Sequence, residues 1–390
     1  MREAVIVEAV RSPVGRKAGK LSDWHPVDLL AEVLGAAVER TGIDPATVDD
    51  NITGCVSQTG EQSINVGRYG WLAAGLPEEV PSTTIDRQCG SSQQAAHFAA
   101  QGVMAGVYDL AIASGVENMT RVPMGVTVSQ GPGVPFSQRL MDRYEGGLVP
   151  QGISAEIIAE RWELSRSQLD EFAGRSHDLA ARAIKDGRFQ KEIHPVKVQG
   201  ESGEELFEHD EGVRFPVDLE KMASLPTPFK EDGVVSAGNS SQISDGACAI
   251  VIASRERADE LGLRPRARFH SFALAGVDPI VMLTGVIPAT RKVLANGGLT
   301  LEDIDVLEIN EAFASVVLAW KKELEVPDDW FEEHVNPNGG AIALGHPLGA
   351  SGGRLMATLL HELERREGRY GLQVMCEGGG MANATIIERL

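Results

Sequence analysis

At 390 residues the chain is too long for one small core and long enough for two or three packed units. With 36 basic and 56 acidic residues its net charge is −20, which opposes nucleic-acid binding and offers an anionic ligand no general attraction. No run approaches the roughly 18 apolar residues of a membrane span, and the four cysteines form no CxxC pair, which excludes a zinc spacing or a disulfide framework.

From Met1 the chain runs almost at once into the strand-like stretch Val5–Val10, without a signal peptide's apolar core or an Arg-rich transit sequence, so a cytoplasmic location is the expectation. Ser82–Ile85 reads as a short strand leading into an Ala-rich helix over Ser91–Met104, and Leu110–Ala113 reads as a buried strand. The stretch from about Arg121 to Asp232 differs, being richer in Pro, Gly and charge. Within it Ser165 and Gln168 form a capping-box pattern, and Leu169, Phe172, Ala173, Ala180 and Ala183 share one helical face. Strand-like runs return at Ala249–Ala253, Val306–Ile309 and Leu372–Cys376, with a helical run over Gly352–Leu363. Strands alternating with helices imply α/β layers.

The chain also repeats itself. Thr41–Asp49 matches the pattern of Gly297–Asp305, Cys89-Gly90-Ser91 sits against Ser351-Gly352-Gly353, and Tyr108–Ile112 against Tyr370–Val374. Matches in the same order favour a duplicated βα unit. The central stretch then reads as a long insertion carried by the first half.

Cys89 falls in a strand-to-helix turn, where helix-terminal amides and the helix dipole lower a thiol's pKa; its small neighbours Gly90, Ser91 and Ser92 leave room for a ligand. On its own it is equally readable as a small buried hydrophobe. Asn310 and Glu311 directly follow a strand, where open α/β sheets gather ligands, although Asn310 also suits a helix N-cap. His346 lies between Gly345 and Pro347 in a second Gly-rich loop, at the place corresponding to the Cys89 turn, and as a neutral imidazole it could take a proton from a thiol. Cys376 closes a buried strand ahead of Gly378-Gly379-Gly380, a tight turn whose amides could approach a carbonyl oxygen; the spacing does not fit a dinucleotide fingerprint.

Together these segments resemble the thiolase family over nearly the whole chain. The likeness rests on the Cys89 turn, Asn310-Glu311-Ala312-Phe313, Gly345-His346-Pro347-x-Gly349-Ala350-Ser351-Gly352 and Cys376-x-Gly378-Gly379-Gly380, in that order. The resemblance implies duplicated βαβαβ halves in a five-layer α/β/α/β/α core with an inserted loop domain. It divides the chain into an N-terminal half (1–120, completed by about 233–265), the insertion (121–232) and a C-terminal half (266–390). It also implies a homodimer or homotetramer, acyl-CoA and CoA as partners, coenzyme A as cosubstrate, and no permanently bound cofactor or metal.

By the same resemblance Cys89 is the acylated nucleophile, and His346 activates it and forms one oxyanion hole with a water held by Asn310. Cys376 moves the α-proton, and the N–H groups of Cys89 and Gly378 form the second oxyanion hole. Ser241 contacts the pantetheine arm and Arg214 approaches the CoA phosphates. Pro150-Gln151 stands where short-chain biosynthetic members carry His-Met, Asp86 where Asn is common, and Ala382 where Gly is usual. Several segments look like actinobacterial degradative thiolases, including those acting on steroid side chains. The expected activity is thiolysis of 3-ketoacyl-CoA or the reverse condensation. The alternatives are a β-ketoacyl synthase-like condensing enzyme, which would lack the second cysteine loop, and a non-catalytic acyl-CoA or lipid-binding protein on the same fold.

Overall fold

In the computed structural model, which describes residues 2–144, 146–200 and 203–390, the two halves repeat one connectivity. The first comprises β1 (Ala4–Arg11), α1 (Pro26–Thr41), β2 (Asp50–Gly54), α2 (Val66–Ala73), β3 (Ser82–Ile85), α3 (Ser91–Met104) and β4 (Leu110–Asn118). Two longer helices, α4 (Gln151–Arg161) and α5 (Arg166–Lys185), and the hairpin Val196–Gly200/Gly203–Phe207 follow before β5 (Ser244–Ser254) returns to the sheet. The second half runs β6 (Ala267–Gly276), α6 (Val286–Gly297), β7 (Val306–Ile309), α7 (Ala314–Glu323), α8 (Leu348–Arg366), β8 (Tyr370–Glu377) and β9 (Met381–Arg389).

Strand order is β3-β2-β4-β5-β1 in one half and β7-β8-β9-β6 in the other. A single parallel bridge, Leu307 to Val335, stands where the second half would need its fifth strand. The two sheets join edge to edge through Val5–Arg268 and Ile6–Ala267. In both halves the long strand after the central helix pairs antiparallel with its successor, as β4 does with β5 and β8 with β9. Both sheets are covered on both faces, which is why their strands read as near-continuous apolar runs; all residues of β4 and β5 are buried.

Helices α3 and α8 lie against each other between the sheets, with α8 touching strands of both halves. A helix enclosed on every side must be small as well as apolar. Ala95, Ala96, Ala99 and Ala100 on α3 and Ala357 on α8 meet that need and form the central core layer with Ile6, Ile250 and Leu359. Outside the sheets, α1 closes a second core with Leu29, Leu30 and Val33, and α6 and α7 close a third with Val293, Val317 and Trp320. Sheets and helices thus stack as α/β/α/β/α.

The capping box of α5 forms as the pattern predicts, and Leu169, Phe172, Ala173, Ala180 and Ala183 are all buried. The buried Arg11 of β1 donates to Glu192 at 2.6 Å and to both oxygens of Asp210. The same Asp210 accepts from the Val14 amide. These charge-assisted bonds tie the segment between β4 and β5 to the sheet it leaves.

Candidate active site

Duplication brings two turns to one place. Cys89 immediately precedes Gly90, the N-cap of α3, and His346 immediately precedes Pro347, the N-cap of α8. The correspondence expected from sequence is therefore right for His346, while Ser351, the formal partner of Cys89 in the repeat, lies inside α8. The reason is length: α8 has 19 residues against 14 in α3 and starts earlier.

The Cys89 turn is tight. Gln88 takes a positive φ of 47°, its amide donates to Asp86 Oδ1 at 2.6 Å, and Ser91 Oγ bonds both the Arg87 amide and the Gln88 carbonyl. Cys89 is 3% exposed and packs with Met119, Leu348, Leu355 and Met375. Burial, with the Cys376 thiol and Glu377 nearby, raises its pKa well above the ordinary thiol value. The lowering expected from the helix terminus is overridden, because withdrawal from water disfavours the thiolate more than the helix end favours it.

His346 is oriented by Ser351. Ser351 Oγ donates its one hydrogen to the Pro347 carbonyl at 2.8 Å, so at 2.6 Å from Nδ1 it accepts, and Nδ1 carries the proton. Nε2 is left with a lone pair, 3.4 Å from Asn310 Nδ2. Burial, then Arg354, pushes the imidazole pKa down to about 3, so it is neutral at pH 7. Asn310 Nδ2 also reaches Cys376 Sγ at 3.8 Å, while its buried Oδ1 has no protein partner among the described residues. Asn310 is no helix cap; α7 starts at Ala314, capped by Phe313. Burial pushes the Cys376 thiol up to about 12, against the Asn310 hydrogen bond.

The third loop meets the first. A Cβ placed on Gly90 would lie 2.1 Å from Glu377 Oε1, and Asn383 Nδ2 donates to the Gly90 carbonyl at 3.1 Å. Gly378, buried in the β8–β9 turn, has Gln88 and Gln151 side-chain atoms about 3 Å from where its Cβ would be. Glycines 379 and 380, at φ of 82° and 84°, supply the left-handed backbone this turn requires.

Glu117 and Ser244 went unnoticed in the sequence, and Glu311, singled out there for its place after a strand, proves to be a fastening residue as they are. Glu117 accepts from the Val56, Ser57 and Gly349 amides and from Gln62, clamping the His346 loop to the end of β2. Ser244 accepts from the His346 amide, and Glu311 accepts from Ser176, Asn336 and the Ile342 amide. A polar residue at a strand end was their only signal.

A cleft of about 500 Å³ opens over this point, lined by Met119, Gln151, Phe313, His346 and Leu348 near the thiols and by Ser241 and Arg214 further out. Cys89 sits behind its wall, beneath Met119 and Leu348. A larger surface cleft, about 610 Å³ between Phe172, Leu318 and Phe331, contains none of these groups. Cys55 and Cys248 are fully buried in the sheet region.

Residues 4–256 match the family described as thiolase, N-terminal domain, and residues 263–389 that described as thiolase, C-terminal domain. The chain is 50% identical to the steroid 3-ketoacyl-CoA thiolase FadA6 of Mycobacterium tuberculosis, over all of this chain and 95% of that protein. It is 45% identical to the 3-oxoadipyl-CoA/3-oxo-5,6-dehydrosuberyl-CoA thiolase of Escherichia coli over the full length of both. The crystal structure of the Bacillus anthracis acetyl-CoA acetyltransferase superposes with a TM-score of 0.90 at 40% identity, covering 100% of this chain and 99% of that one. Two such halves with cysteine, histidine and cysteine loops between them define a thiolase, and the chain belongs to that family. It is an acyl-CoA C-acyltransferase that cleaves 3-ketoacyl-CoA with CoA or runs the condensation in reverse.

Proposed function

We propose that the reaction runs through an acyl-Cys89 intermediate. At rest thiol and imidazole are both neutral, and the Cys89 proton passes to His346 Nε2 as sulfur attacks the ketone carbon. The Nε2–H then donates to the developing oxyanion beside Asn310, an interaction that strengthens as charge appears. Scission of the Cα–Cβ bond leaves an enolate of acetyl-CoA, whose oxygen faces the Cys89 and Gly378 amides and whose carbon takes the proton of Cys376. Free CoA then attacks the Cys89 thioester, its thiol proton passing to the Cys376 thiolate, while Cys89 leaves as a thiolate and recovers its proton from His346. The observation that supports this reading is one convergence: Asn310 Nδ2 reaches both His346 Nε2 and Cys376 Sγ, and the Cys376 thiol lies beside Cys89.

In the same proposal Ser241 holds the pantetheine arm and Arg214 the CoA phosphates, both from the outer cleft. The chain divides into halves 1–120 with 233–265, and 266–390, around the insertion 121–232, and two or four copies assemble. The physiological substrate is a long or bulky 3-ketoacyl-CoA in degradation; Gln151 on the cleft wall and the steroid-thiolase relative support this. No helix of the described residues is long and apolar enough to cross a membrane, and a cytoplasmic site of action is part of the proposal. The test is mass spectrometry after incubation with acetyl-CoA, followed by thiolysis across a panel of chain lengths. An acyl adduct on Cys89 is expected; one on Cys55 or Cys248 overturns the assignment.

A further inference from the structure

Alternate residues of β8 face α3: Gln373 bonds Gln93, Met375 packs on Cys89, and Glu377 abuts Gly90. The last of these is anomalous. Glu377 is 0% exposed, yet neither carboxyl oxygen has a hydrogen-bond partner among the described residues. Buried carboxylates are normally held by several donors, as Glu117 is by four on the other side of the same turn.

We propose that Glu377 is a positioning residue for the thiol chemistry, a carboxyl group whose charge state governs how readily Cys89 gives up its proton. It touches neither substrate nor reacting atoms; it acts through Cys89, and the proposal rests on Cys89 being the nucleophile. Uncharged, it packs beneath the turn at little electrostatic cost. Ionised, it puts a negative charge beside a sulfur that must itself become negative, in a buried setting of low dielectric.

The groups facing it are few. The Cys89 turn contributes Arg87, which favours the carboxylate, and Asp86, which opposes it, along with Cys89 itself; Glu117 lies beyond that thiol. Its own strand contributes Cys376, β9 contributes the uncharged Asn383, and Gln88 and Gln151 flank the adjoining Gly378. Burial raises the Glu377 pKa to about 8, so the change of charge falls within a mildly alkaline range open to titration.

The test is the rate of Cys89 alkylation by iodoacetamide between about pH 6 and pH 10, with the labelled cysteine mapped by mass spectrometry. One unit of thiol pKa is about tenfold in thiolate, so Glu377→Gln should label at about the wild-type rate near pH 6.5 and about tenfold faster near pH 9.5. Wild type should show a flattened slope near pH 8 that the variant lacks. Arg87→Gln should move that flattening to higher pH and Asp86→Asn to lower, the asparagine keeping the side-chain oxygen that accepts from the Gln88 amide. Labelling on Cys89 with a variant-to-wild-type ratio independent of pH overturns this proposal alone. Labelling elsewhere overturns the nucleophile assignment, and this proposal with it.

Discussion

The starts of α3 and α8 occupy equivalent places in the two halves, yet one delivers a sulfur and the other an imidazole. Each functional side chain stands one residue before an N-cap, at the end of a helix enclosed between two sheets. The environments differ in what they supply. The Cys89 turn is closed mainly by its own residues, with Ser91 bonding back to Arg87 and Gln88. The His346 turn is held from outside, by Ser244 on β5 and Glu117 on β4. Duplication therefore provides two matched positions facing one point, and side chains borrowed from the other half make them unequal. The Cys89 turn takes only the Asn383 bond to the Gly90 carbonyl from the other half, whereas the His346 loop is fastened by Ser244 and Glu117 and its ring is aimed by Ser351 of its own helix.

The two positions should differ most in what their loss leaves behind. Cys89→Ala removes the proposed acyl acceptor, so no adduct should form and thiolysis should fall by at least on the order of 10⁴-fold. Cys376→Ala leaves the acceptor in place. Acetyl-CoA should still label Cys89, while carbon–carbon cleavage falls by about 10² to 10⁴-fold, the usual size of a lost acid–base group. Equal loss of labelling in both variants would mean that the two cysteines do not divide the work.

Much of this contrast was legible in the sequence because it is written in residue types with few other uses. A triple glycine after a cysteine, and a histidine between glycine and proline, leave little room for ordinary packing. The strand Ser82–Ile85 and helix Ser91–Met104 fall where the pattern sets them. What could not be read is anything decided by distance across the fold. The Cys89 pKa runs opposite to the local expectation, because burial beneath Met119 and Leu348 outweighs a helix end. Glu117 and Ser244 look like ordinary strand residues until the loop they hold is folded onto them. The missing strand opposite Leu307 was equally invisible, since a single bridge at Val335 carries no periodicity.

A smaller effect tests the orientation of the imidazole. Ser351→Ala deletes the acceptor for Nδ1–H and leaves that nitrogen buried without a partner. The ring can then carry its proton on either nitrogen, and the fraction with Nε2 free to accept falls. A drop in kcat of about tenfold is expected, equivalent to one lost hydrogen bond, with KM for acyl-CoA nearly unchanged because Ser351 is fully buried behind His346. A rise in KM without loss of kcat would instead assign Ser351 to substrate binding.

The smallest effect concerns stability and asks how closely the two central helices must approach. Gly352 of α8 lies directly over α3: a Cβ there would stand 2.3 Å from the Gln93 amide nitrogen and 2.7 Å from its Cβ. The neighbouring contact is also polar, since Gln373 Nε2 donates to the Gly352 carbonyl at 2.7 Å and to Gln93 Oε1 at 3.0 Å. Gly352→Ala should gain about 1 kcal/mol of helix propensity. Against this, forcing two helices apart in a close-packed layer costs about 1–3 kcal/mol. Because the obstruction is backbone and not the end of a flexible side chain, the second effect should win, and thermal unfolding should shift down by a few degrees. The same displacement would move Cys89 and His346 relative to each other, so activity should fall at temperatures where the variant is still folded. An unchanged or higher midpoint would show that the central layer has slack, and that the pairing of the two turns does not depend on the contact between α3 and α8.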